Sequence, residues 1–459
     1  MKSPRSLTEG SISLGLLKFS LPILYATVLQ SLNISVNSFW VGHYLGEAAL
    51  AATLNANFMM FLLIGAAFGI AAAATILVGQ FIGANNLHEA KRIVGTSATF
   101  FFAISVVIGA TGLALSTPLL IALQTPLESL SLAVTYTRIS FLALPSIYLY
   151  AFVTGVLRGA GDSKTPFHFM LLSVVLDIGL NPVFIFGIGP IPRLGIAGSP
   201  AATFVAQTVS LIALIRHLYH HHNPLCLYRD ELRLLHLDRS IVGALVRKGI
   251  PMGAQTLVLS LSCVLMVFLV NPFGVETAAA FGAALQIWNY LAIPSISIGA
   301  AVSSMAAQNV GARKWDRVNS VVRLGVIYSV LLTGLIVFGV ELLGAHAFEF
   351  FLPSGSAALQ IAVHLNGIAT WAFLFSAISM VLISAVSATG TVIAPLIVLV
   401  ISFLIVRFSL AEVLLERYHA DAVWWSFSIS TALSAVLAVL YYKHGGWRGT
   451  QITVPPELS

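Results

Sequence analysis

The stretch Arg158-Gly-Ala-Gly-Asp-Ser-Lys-Thr-Pro166 lies between two long apolar segments, and the related stretch Ser387-Ala-Thr-Gly-Thr-Val-Ile-Ala-Pro395 lies between two others. The two stretches are part of a longer repeat. Five pairs of residues match at a separation of 228 or 229 positions: Pro22 with Pro251, Glu47 with Glu276, Gln80 with Gln308, Gly161 with Gly390, and Pro166 with Pro395. The chain is therefore an internal duplication of two similar halves.

The composition is typical of a membrane protein. Of 459 residues, 58% are hydrophobic and only 9% are charged, and the mean hydropathy is +0.94. Soluble domains carry about 25% charged residues, so 23 basic and 17 acidic side chains cannot cover a water-exposed surface of this size. A soluble enzyme and a disordered chain are both excluded.

Apolar segments long enough to cross a bilayer recur along the whole chain. A hydrocarbon core of about 30 Å requires roughly 20 apolar residues in a helix. We count twelve such segments, two of them in the long charge-free window 350–406, separated near Ser387–Pro395. With the N-terminus inside, all but four of the 23 Lys and Arg residues fall in cytoplasmic segments. The positive-inside rule therefore predicts both termini in the cytoplasm.

The repeat and the span count together predict the fold. An even number of spans separates the two halves, so both halves have the same orientation in the membrane. The predicted fold is an all-α integral membrane protein, with twelve transmembrane helices in two six-helix lobes related by a pseudo-two-fold axis along the membrane normal. We expect an amino-terminal lobe at 1–215, a cytoplasmic linker at 216–241, a carboxy-terminal lobe at 242–445 and a cytoplasmic tail at 446–459. Such lobes are typical of transporters.

Several motifs that follow individual spans resemble those of the multidrug and toxic compound extrusion (MATE) family. The matching stretches are Val41-Gly-His-Tyr-Leu-Gly-Glu-Ala-Ala-Leu-Ala-Ala, Gln80-Phe-Ile-Gly-Ala-Asn, Leu157 to Pro166, Asn181-Pro-Val-Phe-Ile-Phe-Gly and Gly195-Ile-Ala-Gly-Ser-Pro-Ala-Ala-Thr203. The resemblance covers about residues 15–440, with the second half more diverged. It implies a secondary antiporter that expels organic, often cationic and amphipathic compounds in exchange for H⁺ or Na⁺ by alternating access.

Asp177 is the clearest intramembrane charge. A charged residue at the bilayer centre costs about 2.5–3.5 kcal/mol on insertion scales, so it is a functional candidate. Asn181 lies four residues on and shares its helix face, and Pro182 frees carbonyl groups of the preceding turn. Because desolvation penalises the ionised form, we expect Asp177 to carry a proton near neutral pH. The alternative is a structural role, in which Asp177 caps a helix break and joins two helices.

The MATE resemblance implies a cation site in the amino-terminal lobe. The family usually has an Asp in the first helix, and an Asn followed four residues later by an Asp in the fifth. Here Asn37 stands at the first-helix position and the fifth-helix pair is reversed, which leaves Asp177 as the one carboxylate. A single carboxylate favours H⁺ over Na⁺. The expected cation-coupling residues are Asp177, Asn181, Asn37 and Thr203, and the expected substrate-binding residues are Tyr136, Asn33, Met170, Gln207 and Pro182.

The carboxy-terminal lobe lacks the acids that norfloxacin-type members carry in their seventh and tenth helices; the tenth-helix position is Ser376. This resembles the branch related to the DNA-damage-inducible F protein, which couples through the amino-terminal lobe. Arg138 and Arg407 lie within or at the edges of spans, and we expect them to pair or to extend to an interface. Five further polar residues could line a cavity or form interhelical hydrogen bonds: Gln255, Gln286, Asn289, His364 and Asn366.

No catalytic, metal or cofactor site is predicted. The histidines at 217 and 220–222 near Cys226 lack a second anchored pair of ligands, so we expect a solvated basic loop. The stretch Gly159-Ala-Gly-Asp lacks the Lys-Ser/Thr ending of a phosphate loop. The expected partners are small organic molecules and membrane lipid, with no nucleic acid and no obligatory protein partner. We expect a monomeric multi-pass protein of the bacterial inner (plasma) membrane.

Two other functions fit the sequence less well. A flippase of lipid-linked saccharides has paired six-helix lobes too, but it requires a cavity with several Arg and Lys residues for pyrophosphate. Here only Arg138 and Arg407 are candidates. A membrane enzyme or a scaffold without transport would require a catalytic cluster at one membrane face, which the sequence does not contain.

Overall fold

Long α-helices form most of the chain. The computed structural model describes residues 6–122, 125–189 and 191–448, and no β-strand occurs among them. The first six helices are α1 (Ile12–Leu45), α2 (Glu47–Gly83), α3 (Leu87–Ala122), α4 (Leu127–Gly159), α5 (Lys164–Phe186) and α6 (Gly198–His220). The other eight are α7 (Arg239–Val270), α8 (Val275–Gly311), α9 (Trp315–Leu343), α10 (Ala357–Ala369), α11 (Ala372–Ser387), α12 (Ile393–Val400), α13 (Arg407–Tyr418) and α14 (Asp421–His444).

These helices confirm the predicted fold class. Ten segments are long and apolar enough to cross a bilayer, and α12 and α13 together form one of them. α10 and α11 form an eleventh span that is bent by 49° at a short break. α2 has 37 residues and an apolar part at Ala67–Gly83, and its length suits the twelfth span. A turn separates α11 from α12, at the break that the sequence predicts in the long apolar window.

The backbone shows the internal repeat as well. Gly161 and Gly390, which match in the two halves, have φ angles of +89° and +92°. Residues other than glycine rarely adopt such angles, because the Cβ atom clashes with the backbone. Asn85 and Arg313, which are 228 residues apart, also share a left-handed conformation, with φ angles of +58° and +59°. The two halves therefore turn in the same way after equivalent helices.

The described chain forms two compact units. The first is built on Tyr25–Ile250, and the second on Thr8–Leu24 together with the residues after Ile250. In the first unit, α2 and α4 approach closely because α4 presents Gly155 and Gly159 to α2. A Cβ atom on Gly159 would lie 2.4 Å from the carbonyl oxygen of Thr75. Small residues that permit such close contact are the usual basis of helix packing in membranes.

The linker between α6 and α7 follows His220, where α6 ends, and precedes Arg239, where α7 begins. It is bound to the start of α3. Lys91 pairs with Glu231 at 2.6 Å, and Arg92 pairs with Asp238. Partial burial alone would raise the pKa of Asp238, but hydrogen bonds from Ser240 and Arg92 outweigh it and lower the pKa to about 2. These contacts hold the linker against α3 within the first unit.

The second unit is organised around α8. Within the most apolar part of this helix, 72% of the residues are buried, more than in any other described span. Phe281 and Trp288 of α8 pack against Trp424 and Phe427 of α14, with stacked rings between Phe281 and Trp424. This aromatic core joins α8 to α14 within the second unit.

Candidate functional site

Asp177 lies on α5 in the first unit, and only 2% of its surface is exposed. The sequence places it four residues before Asn181, so both side chains point to one side of α5. α1 has the same spacing, with Asn33 and Asn37 one turn apart. The two helices thus face each other through two polar residues each.

Four neutral groups donate hydrogen bonds to the Asp177 carboxylate. Oδ2 accepts from Nδ2 of Asn33 at 2.7 Å and from Nδ2 of Asn37 at 3.0 Å. Oδ1 accepts from Oγ1 of Thr203 at 3.1 Å and from Nδ2 of Asn181 at 3.3 Å. No basic side chain of the described residues pairs with Asp177. Neutral donors stabilise the carboxylate but leave its negative charge uncompensated.

Asn181 joins the two helices. It is fully buried, and its Nδ2 donates to Oδ1 of Asn37 at 2.8 Å and to the main-chain oxygen of Asp177 at 3.0 Å. Pro182, the next residue, has no N–H group to donate to the carbonyl of the preceding turn, although α5 continues through it to Phe186. The link between α1 and α5 therefore depends on side-chain amides next to a weakened helical turn.

Three buried amide oxygens near this group have no hydrogen-bond partner among the described residues: Oδ1 of Asn33, Oδ1 of Asn181 and Oε1 of Gln207. Gln207 lies one turn after Thr203 on α6, so it faces the same side of that helix. Buried acceptors without donors are rare in proteins. This arrangement can accept a donor hydrogen, such as that of a protonated carboxyl group, of a water molecule or of a substrate ammonium.

Tyr136 lies beside the group but is not part of its hydrogen-bond network. Its hydroxyl donates to Oδ1 of Asn57 at 3.4 Å, and the side chain packs in an apolar cluster that includes Ile196. Asp177 and Ser199 contribute to its electrostatic environment. Asn57, on α2, is a neighbour that the sequence does not predict, because it belongs to no motif or repeat pair that we identified.

Met170 packs in an apolar cluster and not against Asp177 and its hydrogen-bond donors. It lies nearly two turns before Asp177 on α5 and packs against a cluster formed by Tyr150, Leu157, Leu211 and Leu214. Of the nine predicted residues, the structure joins five directly by hydrogen bonds: Asn33, Asn37, Asp177, Asn181 and Thr203. Tyr136, Gln207 and Pro182 flank these five, and Met170 packs elsewhere in the same unit.

The two intramembrane arginines behave differently from each other. Arg138 is exposed, and its Nε donates to Oγ of Ser116 at 3.2 Å. Arg407 is only 5% exposed, so the expectation that it extends to an interface is wrong. The sequence alone does not distinguish the two, because both arginines interrupt apolar segments in the same way.

The other polar residues of the second unit mostly form hydrogen bonds between helices. Gln255 donates to the main-chain oxygen of Val392 at 3.1 Å, and Asn366 donates to Oε1 of Glu341 at 2.9 Å. Nε2 of His364 lies 3.1 Å from both carboxylate oxygens of Asp421. Among the described residues, no group of three His, Cys, Asp or Glu side chains could hold a metal ion.

Comparison with known proteins finds relatives of the whole chain and also detects its internal repeat. The MatE family model matches residues 22–183 and matches again at residues 251–413. The chain is 33% identical over 437 residues to the probable multidrug resistance protein YoeA of Bacillus subtilis (strain 168), covering 95% of this chain and 94% of the relative. It is 27% identical over 329 residues to the FAD transporter of Shewanella oneidensis (strain MR-1), covering 71% of each.

A solved structure has the same fold. It is described as the outward-facing conformation of a multidrug resistance MATE family transporter of the MOP superfamily. The TM-score is 0.88 at 20% sequence identity, and the match covers 96% of this chain and 97% of that chain. Such structures have the two-lobe, twelve-helix architecture that the sequence predicts.

Proposed function

This chain belongs to the MatE family of membrane transporters, and on that basis we propose that it is a secondary multidrug efflux antiporter coupled to H⁺. It is a transporter and not an enzyme. The proposed substrates are organic, often cationic and amphipathic compounds, since the relative from B. subtilis is named a multidrug resistance protein. The observation that carries the coupling proposal is the buried carboxylate of Asp177, which has neutral donors only.

A proton suits this site better than Na⁺. A sodium ion requires several oxygen ligands, as other hard cations do, but both oxygens of Asp177 are occupied by N–H or O–H donors. A proton requires one acceptor for the new O–H group. Side-chain amides of asparagine present an oxygen in place of the nitrogen after a half-turn of the amide. Asn33 has an unpaired oxygen that could serve in this way.

Protonation would change the link between α1 and α5. The ionised carboxylate attracts the amide hydrogens of Asn33 and Asn37, and hydrogen bonds to a charged group contribute about 1.5–3 kcal/mol. A neutral carboxyl group would hold them less strongly. The first unit then changes shape near Pro182 and releases substrate outward. Because linkage is reciprocal, substrate binding must favour proton release to the same extent.

The proposed location is the bacterial inner membrane, with both termini in the cytoplasm. The chain is a multi-pass membrane protein, and the distribution of Lys and Arg supports this orientation. The proposed transport requires a small-molecule substrate, a lipid bilayer and an ion gradient, and no second protein.

The test is efflux of a fluorescent organic cation from proteoliposomes under separately imposed H⁺ and Na⁺ gradients. The wild type is compared with Asp177→Asn and with Asp230→Asn, a matched change at an exposed linker carboxylate. We expect the H⁺ gradient alone to drive efflux in the wild type and in the Asp230 variant, and the Asp177 variant to lose this dependence. Equal H⁺-driven efflux in all three proteins would assign Asp177 a structural role, and efflux driven by Na⁺ alone would contradict proton coupling.

A further inference from the structure

The helices of the second unit line an open cavity of about 250 Å³. Aromatic side chains form much of its wall, among them Phe281, Trp288 and Phe373. Arg407 is the only charged residue of the lining. The volume is close to the lower end of small-molecule sites, which are typically about 300–1,000 Å³, mostly apolar, with a few placed polar groups.

The guanidinium group of Arg407 is held by hydroxyl groups. Nε donates to Ser430 at 2.8 Å, Nη1 to Ser262 at 2.8 Å, and Nη2 to Thr431 at 3.1 Å. Each of these hydroxyls donates its own hydrogen to a main-chain carbonyl oxygen. The rings of Phe403 and Phe427 lie 4.5 and 4.6 Å from Cζ. The side chain is therefore fixed in place by neutral partners.

No anion of the protein compensates this charge. Within the part of the chain that the structure describes, Arg407 forms no salt bridge. A guanidinium has five N–H donors, and the three hydrogen bonds leave one donor on each terminal nitrogen without an acceptor among the described residues. A buried charge without a partner is costly, and an intramembrane charge that is retained despite this cost indicates a function.

Arg407 lies one residue after the position that matches Asp177 at the separation of 229 found for the two prolines Pro166 and Pro395. Asp177 follows Pro166 by eleven residues, whereas Arg407 follows the matching Pro395 by twelve. The helical stretch from Pro395 to Arg407 contains a π-helical segment, Ile401–Val406, directly before Arg407. A π-helix accommodates extra residues within a helix and is frequent at functional sites. The extra residue brings Arg407 into register with Asp177.

The partners of the two charges match as well. Ser262 on α7 is 229 residues after Asn33 on α1, and Thr431 on α14 is 228 residues after Thr203 on α6. In the first unit these residues donate to a carboxylate, and in the second they accept from a guanidinium. Equivalent frameworks in the two halves therefore hold buried charges of opposite sign.

We propose that the cavity around Arg407 binds the carboxylate group of a small aromatic organic acid. Two free donors on neighbouring nitrogens suit a carboxylate, which arginine binds through two parallel hydrogen bonds. The aromatic wall suits a ring system attached to that carboxylate. The site goes beyond the proposed function, because it lies in the other half of the chain and selects the opposite charge.

The probe is radiolabelled 2-naphthoate, whose binding is measured by equilibrium dialysis with the purified full-length protein at neutral pH. We expect one site in the wild type, with at least tenfold weaker binding in Arg407→Gln. Arg138→Gln is the matched control, since it removes an exposed intramembrane arginine outside the cavity, and its affinity should equal that of the wild type. Equal affinity in the wild type and in Arg407→Gln would overturn the proposal.

A second variant keeps the arginine and fills the cavity. Ser376 lines the cavity but is not one of the three residues whose hydroxyls bind the Arg407 guanidinium. Ser376→Phe should therefore abolish 2-naphthoate binding and leave the charge in place. The test therefore does not depend on the folding of the Arg407 variant. Binding of 2-naphthylmethylammonium at the same site with equal affinity would overturn the selectivity for anions. Failure of this cation to bind would support the selectivity.

Discussion

Replacing Arg407 by Met should leave the stability of the protein unchanged or raise it, although the arginine is almost completely buried. The three hydroxyls around the guanidinium lose a donor but keep their own hydrogen bonds to carbonyl oxygens. No donor is left unsatisfied by the substitution. Met fills a similar volume and makes favourable contacts with aromatic rings, two of which lie within 4.6 Å of Cζ.

The expected magnitude follows from opposing contributions. Two cation–π contacts stabilise the wild type by about 2 kcal/mol each when desolvated, and the effective desolvation penalty of a buried ion is several kcal/mol. Substitution of buried ionic groups by hydrophobic residues of similar volume is often neutral or stabilising by about 1–4 kcal/mol. With an unfolding entropy of about 2.1 cal/mol/K per residue, 1 kcal/mol shifts the Tm of a chain of this length by about 1 °C. The expected change is a rise of about 0–4 °C.

Arg92→Met is the contrasting variant. Arg92 is also buried, but it pairs with Glu89 at 2.9 Å and with Asp238. Its removal leaves two carboxylates without their partner. Breaking a fully buried pair costs about 3–5 kcal/mol, and the partial exposure of both carboxylates reduces this cost. We therefore expect a fall in Tm of about 1–3 °C.

The assay is thermal unfolding of both variants and the wild type in the same detergent, followed by intrinsic fluorescence. Opposite signs for the two arginines are the expected result. A fall in Tm for Arg407→Met as large as that for Arg92→Met would refute the reasoning, because it would show that Arg407 is retained for stability. The argument that Arg407 is retained for anion binding, and not for stability, would then fail.

Two further predictions concern the first unit. Gly159→Ala should lower the Tm, because the new Cβ would lie 2.4 Å from the Thr75 carbonyl oxygen and overpacking costs about 1–3 kcal/mol. Gly243→Ala is the control, since its Cβ would have no neighbour within 4 Å, and its Tm should equal that of the wild type. Equal Tm values for the two variants would contradict the clash. The pKa of Asp238 is about 2, below its ordinary value of about 3.9, so its contribution to linker docking is complete above pH 4 and is lost as the pH falls through 2. The protection factors of the linker amides, taken against the intrinsic exchange rate at each pH, should fall over that interval. Unchanged protection factors would contradict the role of Asp238.

Much of the architecture follows from local sequence. Helix length and hydropathy predict the spans, because every backbone group in the bilayer must be paired within its own helix. The spacing of Asp177 and Asn181 places them on one helix face whatever the surroundings are. The matched residues of the repeat predict the shared turns at Gly161 and Gly390, because only glycine adopts their backbone angles easily.

The contacts between side chains of different helices do not follow from local sequence. Asn33 and Asn37 contact Asp177 from 144 and 140 residues away in the sequence, and no local pattern predicts which faces of α1 and α5 meet. In a soluble helix the polar face marks the outside, but in a membrane the side facing lipid and the side facing protein are both apolar. The burial of Arg407 and the packing of Met170 away from Asp177 were therefore decided by the tertiary structure, which sets the rotation of each helix about its axis.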